Sequence, residues 1–131
     1  MPSPAEVAAR NYVAAWQEPD PAARARLIES CFAADGRIVT PGSVIPGRPG
    51  LAKAIADLFA DPRGLSARLT SAIDAQGPMF RFRSVVADRD GRVVFDGFDA
   101  AEVDAEGRIT VLLAFGGAPP APLPGPVGDQ I

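Results

Sequence analysis

The chain has 131 residues, 47% of them hydrophobic, and a formal charge of −3. That suits one globular domain with a real core and argues against nucleic-acid binding, which favours a basic stripe. With no histidine and a single cysteine, Cys31, the commonest metal sites, Ser-His-Asp or Cys-His catalysis and an internal disulfide are all excluded.

No cofactor or metal is therefore expected, and any acid–base chemistry falls to carboxylates, Tyr12, Lys53 or water. No apolar run approaches the ~18 residues of a membrane span, so no membrane partner is expected. The start "MPSPAEVAAR" lacks the pattern of a signal peptide, so a cytoplasmic protein is expected.

The first predicted helix has a strong start. Ser3 is placed as N-cap, Pro4 at the first helical position and Glu6 at the capping-box position. Ala5, Ala8, Ala9, Tyr12, Val13 and Trp16 then form an apolar stripe at helical spacing. Asp20 and Pro21 start a second helix, with Leu27, Ile28, Cys31 and Phe32 as its buried face. Asp35-Gly36 suits a turn before a short strand on which Ile38 and Thr40 share a face, and Pro41 stops it. "SVIPGRPG" reads as a loop, and a third helix runs from about Pro49 to Ala60 with Leu51, Ile55, Leu58 and Phe59 as its stripe.

The second half reads as strands. "SARLTSAID" puts Ala67, Leu69, Ser71 and Ile73 on one face. "PMFRFRSVVA" alternates Phe80, Phe82, Ser84 and Val86 against Arg81 and Arg83. "DRDGR" is a hairpin turn leading into "VVFDGFDAAEV". There the odd positions are Val93, Phe95, Gly97, Asp99, Ala101 and Val103, so one otherwise apolar face carries a single acid, Asp99. "RITVLLAFG" places Ile109, Val111, Leu113 and Phe115 inward, with Leu112 and Ala114 on an outer face apolar enough to suggest a homodimer. Residues 117–131, rich in proline and glycine, read as a tail beyond a single domain of residues 1–116.

Helices first and strands afterwards predict an α+β fold: a cone-shaped, curved antiparallel sheet of about four to six strands around three helices, enclosing an apolar pocket. Buried without a partner, Asp99 would favour its neutral form, with a raised pKa. Neutral, it could donate a hydrogen bond. Asp99 could equally hold the fold by bonding Tyr12, Trp16 or a buried arginine.

The stretches "NYVAAWQEPDPAARARLIESCFAADGRIVTP", "GRPGLAKAI" and "GFDAAEVDAEGRITVLLAFG", in this order, resemble the nuclear transport factor 2-like superfamily, in its SnoaL-like and ketosteroid isomerase-like branch. The resemblance covers about residues 5 to 116. By position it implies Tyr12 and Asp99 as an oxyanion hole, and it puts Thr40, before Pro41, where the isomerases carry their general base. A threonine is no base near neutral pH without an activator. The function expected from this is binding of a small hydrophobic carbonyl or polycyclic molecule, with isomerisation or cyclisation through the oxyanion hole. Trp16, Thr40, Phe59, Phe82, Ser84 and Phe115 are the expected ligand-binding residues. A non-catalytic binding module and a structural homodimer stand as the alternatives.

Overall fold

The structure is a computed structural model, and it describes residues 1–125. Helix α1 (Pro4–Gln17) begins where Ser3 Oγ accepts from the Glu6 amide at 3.1 Å. Helix α2 (Pro21–Cys31) begins where the Asp20 carboxylate accepts from the Ala23 amide at 2.9 Å. Both caps satisfy helix donors that would otherwise lack partners. Strand β1 (Phe32–Val39) follows α2 directly, so Phe32 opens the strand rather than closing the helix. Part of the expected loop is a short strand, β2 (Val44–Pro46), and α3 spans Gly47–Ala60. The predicted "SARLTSAID" strand is broken into β3 (Ser66–Leu69) and β4 (Asp74–Gln76). Strands β5 (Met79–Ala87), β6 (Val93–Val103) and β7 (Ile109–Gly116) complete the regular structure of the described residues.

The strands form one sheet in the order β2-β1-β7-β6-β5-β3, with β4 also on β5. The sheet curves around the helices without closing. It has seven strands and is mixed, not purely antiparallel, because β1 runs parallel to β7. The connection between those two passes through the rest of the sheet, which is why no local pattern announces the pairing. Residues 117–125 form no helix or strand; the rest of the predicted tail, 126–131, lies outside the described residues. No helix among the described residues is long and apolar enough to cross a membrane.

The core lies between the inner sheet face and the helices. Phe32, Leu51, Ile55, Phe80, Ile109 and Leu112 are fully buried there. Small residues on α1, Ala5, Ala8, Ala9 and Ala15, are equally buried and let the helix approach the sheet closely.

The phase of β7 departs from strict alternation. Ile109 pairs with Val103, but Val111 already pairs with Glu102, so Thr110 is an extra residue. One inserted residue moves every later side chain to the opposite face. Leu112 and Ala114 therefore turn inward, and Leu113 and Phe115 turn out, at 41% and 54% exposure. The expected inward set of Val111, Leu113 and Phe115 is thus corrected, and Phe115 is not a pocket residue.

One buried charge was not anticipated. Arg24 on α2 is 6% exposed. Its guanidinium donates to the Glu18 and Pro19 carbonyls at 3.1 and 3.2 Å, just past the end of α1, and stacks 4.8 Å from the centre of the Phe59 ring. It thereby ties the α1–α2 corner to α3. Arg24→Ala should lower stability by about 2–3 kcal/mol, since charge-assisted bonds and a cation–π contact go together. Urea unfolding measures this, and a loss below ~0.5 kcal/mol would show the guanidinium to be merely solvated.

Candidate functional site

Asp99 lies on the inner face of β6, between Phe82 of β5 and Ala114 of β7 as its cross-strand partners. The three share one row because cross-strand partners point to the same side. Phe82 and Ala114 both line an apolar cavity of about 290 Å³ between the sheet and helices α1 and α3. Asp99 itself is set just outside that lining. Burial among apolar groups pushes its carboxyl up from the ordinary 3.8 to about 7. Val93 and Val111, two residues expected around it, point elsewhere: Val93 is 48% exposed, and Val111 lies beyond the Thr110 insertion.

Tyr12 faces the cavity from α1 and is buried. Its hydroxyl is held protonated well above the usual phenol range, first by burial and second by the charge of the neighbouring Asp99. The structure thus brings Tyr12 and Asp99 close, without a hydrogen bond between them. Trp16 and Val13 complete the helix side of the cavity. The Tyr12 and Trp16 rings meet edge-on, and Tyr12 also packs against Phe82.

The other expected site residues divide. Thr40, Phe82 and Ser84 line the cavity with Trp16. Thr40 Oγ1 is engaged locally: it accepts from the Ser43 amide at 3.0 Å and lies 3.0 Å from Ser43 Oγ. Phe59 is on the far side of α3, 39% exposed beneath Arg24, and Leu58 lines the cavity in its place. The helical stripe was broad enough to include both, and the buried Arg24 decides which turns away. Phe115 is on the outer face for the reason given above.

Leu58, Ala114 and Ile45 were missed as cavity residues. Ile45 could not be placed while its segment was read as a loop. Phe95, on the strand's inner parity, lines the cavity while 45% exposed, so it stands at the mouth. A Cβ on Gly97 would meet its ring at 2.5 Å; glycine there lets Phe95 fold back along the strand.

Solved structures show the same arrangement of helices and sheet. A candidate isomerase of the SnoaL-like family from Agrobacterium tumefaciens is 29% identical, with 88% of this chain and 98% of that one covered and a TM-score of 0.76. The chain has the nuclear transport factor 2-like fold. A protein with a ketosteroid isomerase-like fold from Catenulispora acidiphila shares that fold at 18% identity, 82% coverage of both chains and a TM-score of 0.62. So does a candidate polyketide cyclase from Sinorhizobium meliloti, at 18% identity, 82% of this chain, 92% of that one and a TM-score of 0.63. No protein-family profile matches this chain, and no curated protein matches it in sequence.

Proposed function

We propose that the cavity binds a small hydrophobic carbonyl, phenolic or polycyclic molecule and polarises its oxygen. The observation that carries this is the Tyr12 hydroxyl: a donor that stays protonated, facing an apolar cavity, with no acceptor for its proton among the described residues. A preorganised donor in a water-poor site stabilises charge developing on an oxygen far better than it would in water. Asp99, neutral below a pH of about 7, adds a second protonated group near Tyr12. The reaction class that fits is isomerisation, cyclisation or enolisation, in which a carbonyl oxygen gains negative charge.

Proton removal is not supplied by Thr40, whose hydroxyl is held by Ser43. That favours a second reading, ligand binding without turnover, in the same cavity. Turnover of a β,γ-unsaturated ketone separates the two.

Binding itself is tested with 2-naphthol and naphthalene, followed by fluorescence of the single tryptophan. A hydrogen bond to a charged partner contributes ~1.5–3 kcal/mol, so Tyr12→Phe should weaken 2-naphtholate binding roughly 10- to 150-fold. Naphthalene affinity should stay unchanged. Equal affinities of wild type and Tyr12→Phe for the naphtholate would remove Tyr12 from the site.

We further propose a second copy of this chain as partner, docked on the outer sheet face. Val94, Leu113 and Phe115 are exposed there, and Phe98 packs 6.1 Å from Phe115.

A further inference from the structure

The chain's one tryptophan, Trp16, keeps an unsatisfied donor. Its Nε1 is buried and meets no hydrogen-bond partner among the described residues. Such a group is costly to a fold and rare in native proteins. Trp16 follows Tyr12 by one helical turn, and their ring centroids are 6.4 Å apart with planes at 67°. Residues four apart on a helix meet by geometry alone. The indole N–H also counteracts part of the rise in the Tyr12 pKa, so it is near enough to act on the phenol oxygen. Nε1 is covered, so it offers no open donor to a bound molecule.

We infer that Trp16 is a positioning residue for Tyr12: its N–H closes onto Tyr12 Oη when Tyr12 donates to an oxygen of the bound molecule. The inference rests on Tyr12 being the donor of the cavity. A phenol that donates toward a negative oxygen gains charge on its own oxygen and becomes a better acceptor. Hydrogen bonds in such a chain strengthen one another in a low-dielectric site. The N–H, without a partner among the described residues, is then paired in the complex. Ionised Asp99 opposes ionisation of Tyr12, whereas Trp16 favours charge on Oη. Together they keep Tyr12 a neutral but polarised donor.

One tryptophan means one indole cross-peak in a ¹⁵N–¹H spectrum, so the residue reports on itself. 2-Naphthol should move the indole proton downfield well beyond the change produced by naphthalene. In Tyr12→Phe, which keeps the ring and removes the oxygen, that excess should vanish. Trp16→Phe, titrated by calorimetry because it holds no tryptophan, should weaken 2-naphthol about 3- to 10-fold more than it weakens naphthalene, the excess expected of one hydrogen bond. Equal indole shifts with both probes, or an excess that survives Tyr12→Phe, overturns the inference while the cavity reading stands. Binding of neither probe overturns the cavity reading and this inference with it.

Discussion

Asp99→Asn should be more stable than the parent chain at pH 8 and lose that advantage as the pH falls toward 4. A carboxyl whose pKa differs between folded and unfolded chains couples stability to pH. Below the ordinary carboxyl value of 3.8 the group is protonated in both folded and unfolded chains and makes no difference. Between 3.8 and about 7 the unfolded chain ionises while the folded chain holds its proton. Stability therefore falls as the pH rises through that window, the reverse of the usual ion-paired aspartate. Above about 7 the folded chain also ionises, and the cost stays at its full value. At ~1.4 kcal/mol per pH unit separating the two states, the ceiling is on the order of 4 kcal/mol. Asparagine carries no charge and escapes it.

The measurement is urea unfolding of both chains from pH 4 to pH 8. The difference between them should rise with pH and then level off. A difference that stays flat would mean an Asp99 that titrates normally, and a neutral donor near Tyr12 would be untenable. The same window governs the site: Asp99 can donate a proton only below about pH 7, whereas Tyr12 donates throughout.

Asp99 could be singled out from sequence because alternation over residues 97 to 103 is a local property, undisturbed until the strand ends. The helix starts were legible for the same reason, since Ser3 and Asp20 cap within their own first turns. What failed was non-local. Thr110 is an inserted residue only relative to Glu102 and Val103 across the sheet, and nothing in "RITVLLAFG" marks it. The parallel pairing of β1 with β7 joins segments some seventy residues apart. Phe59 leaves the cavity because a buried arginine from another helix stacks on it. Tyr12 was placed by the helical stripe, but the nearness of its oxygen to the Trp16 N–H required the side chains themselves. Strand parity and caps are written in neighbours; register and the choice between adjacent stripe residues are written in contacts.

The same insertion at Thr110 sets up the other large effect. Phe115→Glu should convert a dimer into a monomer and leave ligand binding intact. In a two-fold interface the same residue is buried once from each copy, so its contribution counts twice. Burying a phenylalanine gains ~1.5–3 kcal/mol, hence about 3–6 kcal/mol for the pair and a roughly 10²- to 10⁴-fold weaker dimer. Next to Phe115, the outer face offers Leu113 and Val94 as further apolar area. It also holds an ion pair stretched to 3.9 Å, Arg83 with Asp96, in which Arg83 Nε and Asp96 Oδ1 are buried without partners among the described residues. A second copy would supply apolar cover to this face. Light scattering across micromolar concentrations decides the assembly, and a parent chain that is monomeric throughout would defeat the dimer. The companion titration with 2-naphthol is equally decisive for the strand: had Phe115 pointed inward as simple alternation requires, the substitution would put a carboxylate into the cavity and abolish binding. On the outer face, at 54% exposure, it should change assembly alone.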